Sequence, residues 1–160
     1  NGKSLGKKSK TNDVLHAEGL EVPFEAGKIE VVSYKNGKVV AKDSRVTAGE
    51  PVSIKLTPDR KTISADGYDL CYVTVELVDK NGNAVPDNGT MLHFEVSGNG
   101  ELFGVDNGNA ADSLSLKGSD KALFNGKALA VIRSIKDTPG SVKLSVSSAY
   151  GKTDLVVKCK

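Results

Sequence analysis

Acidic side chains are the first candidates for chemistry, because two carboxyl groups that converge in a cleft can act as general acid and as base or nucleophile. In this chain the carboxyl groups fall at predicted turns or on outward positions of predicted strands. Examples are Asp59, Asp66, Asp79, Asp87, Asp106, Asp120 and Asp137 at turns, and Glu76 and Glu95 on strands. Neither pattern nor spacing singles out a pair, so we predict no catalytic residue within these 160 residues.

The two histidines, His16 and His93, lack a Cys, His or Ser partner at a catalytic or metal-binding spacing. His93 lies in an alternating segment, on the same face as Met91 and Glu95, and opposite Leu92 and its apolar neighbours. This pattern predicts a partly exposed histidine on a strand rather than a ligand or a base.

An Asp-Asn-Gly-Asn loop at residues 106–109 offers oxygen atoms that could bind calcium. The loop lacks the full Asp-x-Asp-x-Asp-Gly spacing and the distal Glu of an EF-hand. We therefore predict a turn whose Asp and Asn side chains accept hydrogen bonds from nearby backbone N–H groups. Accordingly we predict neither a metal nor a cofactor.

Three tyrosines, Tyr68, Tyr72 and Tyr150, are candidate sugar-contact residues, because carbohydrate-binding proteins often stack sugars on exposed aromatic rings. The chain has no Trp, the ring most suited to this role. The alternative is that these tyrosines cover sheet edges or pack against a neighbouring domain.

The composition excludes two classes of partner. Twenty-two basic and 20 acidic residues leave a net charge of +2, which predicts no nucleic-acid surface. No apolar run approaches the ~20 residues of a membrane-spanning helix, so we predict no membrane insertion. Lys3, Lys7, Lys8 and Lys10 form a basic start without interleaved aromatic residues, which is typical of a solvated loop.

Strands must position these residues, because apolar and polar residues alternate with a period of two. The pattern predicts strands at residues 71–77, 141–147 and 154–159, and further strands at 53–57, 91–96, 101–105 and 127–134. The segment 127–134 is apolar on both faces, so its orientation stays open. Asn-Gly pairs recur between the segments and are typical of tight hairpin turns. Short strands separated by such turns predict an all-β, immunoglobulin-like sandwich.

A domain boundary is predicted near residues 48–51, Ala-Gly-Glu-Pro. Before it we predict a hairpin with strands at 28–34 and 39–46. An isolated hairpin is barely stable in water, so residues 1–49 are predicted to be the truncated C-terminal part of an immunoglobulin-like β module. Residues 50–160 are predicted to form a complete immunoglobulin-like β-sandwich of about 110 residues, large enough to fold alone.

Several segments, in order, resemble a known family. Residues 56–60 (LTPDR), 63–67 (ISADG), 72–83 (YVTVELVDKNGN), 124–128 (FNGKA) and 138–142 (TPGSV) resemble bacterial immunoglobulin-like modules. Residues 104–109 (GVDNGN) look like the last domain of bacterial glycoside hydrolase family two β-galactosidases. The segments NGKSLG (1–6), VPFEAG (22–27), YKNGKVVA (34–41) and TAGEP (47–51) resemble the module that precedes that domain.

This resemblance implies that the chain is a non-catalytic accessory region of a glycosidase. The parent enzyme would hydrolyse terminal β-galactosides by the retaining, two-glutamate mechanism, and none of the family's catalytic positions falls on this sequence. The region would pack on the catalytic barrel in cis, shape the rim of its active site or contact a second subunit. The resemblance also implies a periplasmic or extracellular location.

The two cysteines, Cys71 and Cys159, occupy inward positions at the start of one predicted strand and the end of the last. An immunoglobulin-like topology would let their thiols meet, and a periplasmic location would favour a disulfide. The alternative is that each is a small buried hydrophobic residue.

Two other functions remain open for the whole chain. Its turns are also similar to those of adhesin stalk modules, although such stalks repeat one domain and the two pieces here differ. A carbohydrate-binding module is the other alternative, and an exposed aromatic row would favour it.

Overall fold

The computed structural model describes residues 1–9, 21–87 and 89–160. His16 and Lys10 lie outside the described residues. Eleven strands, and no helix, form the regular structure of the described part. The strands are β1 (Lys28–Lys35), β2 (Lys38–Val46), β3 (Pro51–Pro58), β4 (Thr62–Ile63), β5 (Leu70–Asp79), β6 (Met91–Gly98), β7 (Gly100–Asp106), β8 (Asp120–Ala122), β9 (Lys127–Ser134), β10 (Gly140–Ser148) and β11 (Gly151–Cys159).

The chain divides into two compact units, Asn1–Thr47 and Ala48–Lys160. Gly49 belongs to the second unit, because its backbone N–H donates to Asp79 Oδ2 (2.9 Å).

The first unit contains one antiparallel hairpin, in which β1 pairs with β2 from Lys28–Val46 to Lys35–Lys38. The turn residues Asn36 and Gly37 have φ values of 52° and 75°. Two consecutive residues of positive φ form the turn that matches the right-handed twist of a hairpin, which explains the Asn-Gly pair. Every residue of the two strands is exposed except Val32, which is partly buried.

The second unit is a sandwich of two sheets, which confirms the predicted all-β, immunoglobulin-like class. One sheet has five strands in the order β4-β11-β10-β6-β8, and the other has four in the order β3-β5-β9-β7. All neighbouring strands are antiparallel except β4 and β11, which pair in parallel through two residues.

Inward residues of both sheets form one hydrophobic core. The four-stranded sheet contributes alternate residues of β5 and β9, and the five-stranded sheet contributes alternate residues of β10 and β6. The fully buried members of these strands include Val73, Val75, Leu77, Ala130, Ile132, Leu92, Phe94, Val142, Leu144 and Val146. The structure also orients β9, whose even-numbered residues are buried and whose odd-numbered residues are exposed or partly buried.

The membrane-spanning class can be checked directly. In the part of the chain that the structure describes, no helix has the length and apolar character needed to cross a lipid bilayer.

Candidate functional site

The three tyrosines predicted as sugar contacts do not share one surface. Tyr68 is 82% exposed in the loop before β5, Tyr72 is 42% exposed on β5, and Tyr150 is 36% exposed in the β10–β11 turn. The neighbour of Tyr68, Asp69, accepts a backbone hydrogen bond from Ser134. Ser134 in turn pairs with Gly100 on β7. The residue before Gly100, Asn99, has its carbonyl oxygen in contact with Cys159 Sγ.

Tyr68 therefore lies at the end of the sandwich where Gly140 faces Cys159, whereas Tyr150 lies at the other end of the β10–β11 pair. Eight residues of strand separate these ends, roughly 27 Å at the rise of an antiparallel strand. A single row of stacked rings across all three tyrosines is excluded by this placement. Sugar contact by any one of them stays a prediction.

The two cysteines are buried free thiols in this structure. Cys71 Sγ donates to the carbonyl of Arg60 (3.3 Å), and Cys159 Sγ contacts the carbonyl of Asn99 (3.6 Å). Burial raises the pKa of the Cys71 thiol to about 11 and also raises the pKa of Cys159. Both thiols are therefore protonated and poorly nucleophilic at neutral pH. A Cys71–Cys159 disulfide was one of two alternatives left open by the sequence, and thiol counting can distinguish it from two free thiols.

The loop at residues 106–112 uses its side-chain oxygens internally. Asp106 Oδ1 accepts from the N–H groups of Asn107 (2.7 Å) and Gly108 (3.1 Å). Asn107 Oδ1 accepts from Asn109 N–H, and Asn109 Oδ1 accepts from Ala111 N–H. Side-chain oxygens of this loop therefore accept hydrogen bonds from nearby backbone N–H groups, which is the turn geometry that the sequence predicted.

The positive charge that this loop binds is Lys121, which sequence reasoning did not single out. Its side chain is buried, and its ammonium lies 2.8 Å from the carbonyl oxygen of Leu114 and 3.1 Å from Asp112 Oδ2. The Leu114 N–H, and then Lys121, lower the pKa of the Asp112 carboxyl. The sequence signal that could have identified Lys121 is its spacing of two residues from Leu123, which places both side chains on the same inward face.

His93 lies on the outer face of β6 in a surface network of charged groups. Its Nδ1 is 2.8 Å from Asp120 Oδ1, and its Nε2 is 3.9 Å from Glu95 Oε1. Glu95 Oε2 in turn pairs with Lys152 Nζ at 3.2 Å. The hydrogen bond from His93 lowers the pKa of Asp120. Within residues 1–9, 21–87 and 89–160, no group of three His, Cys, Asp or Glu side chains could hold a metal ion.

Asp79 is a buried carboxylate whose side chain bonds to loop groups on both of its oxygens. It accepts hydrogen bonds from the N–H groups of Gly49, Asn81 and Asn83 and from the side-chain amide of Asn83, at 2.8–3.0 Å. The bond from Gly49 is the largest cause that holds the pKa of Asp79 well below its usual range. A carboxylate held in this way has no proton to exchange at neutral pH and cannot serve as a general acid.

The outer faces of the two sheets differ in character. On the four-stranded sheet, three neighbouring strands, β5, β9 and β7, carry apolar side chains on the outer face. We call four of these residues the apolar patch: Tyr72, Leu129, Val131 and Phe103. On the five-stranded sheet, the corresponding positions are mostly charged or hydroxyl side chains. They include Lys143, Ser145, Ser147, Lys152, Asp154, Lys158, His93, Glu95 and Ser97.

Ion pairs and stacked cations surround the apolar patch. Arg133 pairs with Glu101, and Glu76 lies 3.3 Å from Lys127 and 3.9 Å from Lys55. The Phe103 ring has Lys117 Nζ 3.6 Å from its centroid and the guanidinium of Arg133 4.4 Å from it. Partly buried aromatic and apolar residues with an arginine and a charged rim are typical of protein–protein contact surfaces.

Comparison with known proteins identifies the family of this sandwich. The sequence model of "Glycoside hydrolase family 2 C-terminal domain 5" matches residues 54–156. The chain belongs to this family. A second model, a domain of unknown function named DUF4982, matches residues 1–41 of the chain.

The relatives that match most of this chain are longer proteins. A β-galactosidase from Bacteroides ovatus is 46% identical over 148 residues, which is 92% of this chain and 17% of the relative. A putative β-glucuronidase from Formosa agariphila is 34% identical over 86% of this chain and 13% of its own length. The chain therefore spans less than a fifth of the curated relatives that it matches.

Solved structures agree with this assignment. A glycosyl hydrolase family 2 member from Bacteroides cellulosilyticus matches with a TM-score of 0.88 and 32% identity, over 100% of this chain and 21% of that protein. A β-glycosidase from Bacteroides vulgatus matches with a TM-score of 0.80 and 29% identity, over 92% of this chain and 20% of that protein.

Proposed function

We propose that this chain is a non-catalytic accessory region of a glycosidase that acts on β-galactosides. The observation that carries the proposal is the 46% identity to a β-galactosidase over 92% of the chain, which is only 17% of that enzyme. The polar groups of the described residues support it, because Asp79, Asp112 and Lys121 each engage in hydrogen bonds that build loops.

The parent enzyme would carry out its chemistry outside these residues. A retaining glycosidase needs two carboxyl groups about 5–5.5 Å apart, one as acid and base and one as nucleophile. Here the sandwich would act through its fold, by packing on the catalytic region in cis or by contacting a second subunit. A location in the periplasm or outside the cell belongs to the same proposal, with the family resemblance as its support.

The test compares the full gene product that contains these residues with the 160-residue chain. Both are assayed with an aryl β-galactoside and an aryl β-glucuronide, the second because a putative β-glucuronidase is among the relatives. We expect the full product to hydrolyse the galactoside and the 160-residue chain to give no more than the buffer rate. Preference of the full product for the glucuronide would change the substrate, and hydrolysis by the 160-residue chain would contradict the accessory role.

The location has its own measurement. Fractionation of the source cells, with antibodies against the sandwich, is expected to place the full product in the periplasmic or extracellular fraction. Recovery with cytoplasmic markers would contradict this part of the proposal.

A further inference from the structure

We infer that the apolar patch on the four-stranded sheet is the surface by which the sandwich docks on another folded domain of its own polypeptide. This inference rests on the proposed function, since it names the contact through which an accessory region would act. Its occupant is a protein surface with an apolar centre and a polar rim.

The asymmetry between the two outer faces is the first argument. In a sandwich with both outer faces in water, the outward positions of both sheets read as polar. Here the five-stranded sheet exposes two separate apolar side chains, Met91 and Val156, among charged and hydroxyl groups. The centre of the four-stranded sheet instead places the partly buried Leu129 and Val131 beside Tyr72. Adjacent apolar side chains on one sheet face mark a contact surface more often than scattered ones do.

The second argument is preorganisation. The Phe103 ring contacts two cations, and one of them, Lys117, also donates from Nζ to the Phe103 carbonyl oxygen at 2.6 Å. Arg133 is fixed in turn by Glu101. A partner that meets side chains already fixed in one conformation loses less conformational entropy on binding. Ordered aromatic and arginine side chains are the usual anchors of such interfaces.

The third argument identifies the occupant. The related proteins are about five to seven times as long as this chain, and the matched residues make up 13–21% of their lengths. Most of such a polypeptide lies outside the sandwich and stays tethered to it. A tether raises the effective concentration of a neighbouring domain to about the millimolar range, so a small patch is enough for docking. Interfaces between domains of one chain are small and partly polar, as this patch is.

The first experiment measures side-chain accessibility by hydroxyl-radical footprinting, in the full gene product and in the 160-residue chain. Burial at the centre of an interface is expected to lower the modification of Tyr72 and Phe103 by about fivefold in the full product. Met91 is the internal control, since it is 48% exposed on the outer face of the five-stranded sheet. Its modification is expected to be equal in both proteins.

The second experiment uses matched variants of the full product. Val131→Lys places a charge in the patch, and Val156→Lys makes the same change on the outer face of β11, where Val156 is 55% exposed. A released domain is cleaved more readily at its connections, so Val131→Lys is expected to raise the rate of limited proteolysis about tenfold, and Val156→Lys is expected to leave it unchanged. Equal melting temperatures of the two variants in the 160-residue chain verify that both fold.

The outcomes separate this inference from the proposed function. Equal modification of Tyr72 in both proteins, with galactosidase activity present, would overturn the docking surface and leave the function intact. Protection in the 160-residue chain that rises with its concentration would assign the patch to a second copy. Protection there only on adding a galacto-oligosaccharide would assign it to sugar. Either result overturns docking in cis.

Discussion

At the scale of single residues, buried polar side chains decide how the loops of the sandwich are built. Asp79 draws Gly49 and the β5–β6 turn together through four hydrogen bonds, and Lys121 does the same for the loop before β8. Removing one partner from such a group leaves the other buried polar atoms without a bond, which costs more than the bond itself contributes. Substitutions at these positions should therefore act on folding.

Asp79→Asn is predicted to lower the melting temperature at pH 7 and to remove a pH dependence. The folded carboxyl has a pKa lowered mainly by the Gly49 N–H, so its stabilising effect is complete above the unfolded pKa of about 3.9. The effect is lost as the pH falls from there towards the folded pKa. The difference between the melting temperatures of the two proteins should therefore be constant from pH 7 to about pH 5 and narrow from there to pH 2.5. A gap that stays constant over the whole range would contradict the prediction.

Gly126→Ala is predicted to destabilise the sandwich far more than Gly108→Ala. Both glycines have nearly the same positive φ, 74° and 73°. That backbone conformation costs an alanine about 1–2 kcal/mol. A Cβ on Gly126 would also lie 2.0 Å from the Val85 carbonyl oxygen, whereas one on Gly108 meets nothing within 4 Å.

Urea unfolding of the two glycine variants measures the difference. We expect a loss of about 1 kcal/mol for Gly108→Ala and about 3 kcal/mol for Gly126→Ala, since overpacking adds to the backbone cost. Equal losses would show that the Val85 carbonyl moves aside freely.

At the scale of elements, the alternation of apolar and polar residues predicted most strands, but it did not predict which strands pair with one another. The predicted strand at residues 127–134 coincides with β9, yet its own pattern could not say which face is buried. Only pairing with β5 and β7 settles that, because inward residues of neighbouring strands must share one core. The short strand β8 escaped prediction, since Lys121 is polar at an inward position.

Prediction of the candidate site from the sequence was limited for the same reason. Residue pattern places Tyr72 on an outward face, but only strand order shows that Tyr68 and Tyr150 lie at opposite ends of the sandwich. The apolar patch was also beyond prediction, since it joins residues from three strands that are distant in sequence. Contacts of that kind depend on tertiary pairing, which periodicity does not encode.

Lys121→Met tests the loop before β8 as a unit. Its ammonium bonds to Asp112 and to the Leu114 carbonyl, and breaking a buried pair by removing one partner costs about 3 kcal/mol or more. We expect that loss in urea unfolding of Lys121→Met. With Asp112→Asn added, the double variant should lose less than the sum of the two single losses. Additive losses would show that the two side chains are not coupled.

The hairpin β1–β2 is predicted to exchange its amide hydrogens far faster than the core strands. A lone two-stranded hairpin is marginally stable in water, and the residues of β1 and β2 are nearly all exposed. Hydrogen exchange of the 160-residue chain, followed by mass spectrometry, should label peptides of β1 and β2 within minutes and those of β5 and β10 over hours. Equal protection in the two regions would contradict this prediction.

At the scale of the whole molecule, the sandwich has one closed core and two unlike outer faces. The core unites both sheets, so the second unit should unfold as a single cooperative body. The two outer faces differ, because that of the five-stranded sheet is mostly polar and that of the four-stranded sheet carries the apolar patch. Under the proposed accessory function, such a module would contribute by being rigid and by presenting a surface, which requires no reactive group of its own.

The thiols report on that cooperative body. Cys71 and Cys159 are 0% and 3% exposed, at the end of the core where several strands of both sheets terminate. A reagent should reach them only through global unfolding, and a free energy of unfolding of about 5 kcal/mol or more makes alkylation over a thousandfold slower than in the denatured chain.

Alkylation at pH 7.5, with and without denaturant, measures both the rate and the number of thiols. We expect both cysteines to react at one common slow rate in the native protein, because the same opening exposes them. In denaturant without reductant, two labels per chain are expected. No label under those conditions would establish a Cys71–Cys159 disulfide. One fast and one slow native thiol would show instead that this end of the core opens locally, ahead of the rest.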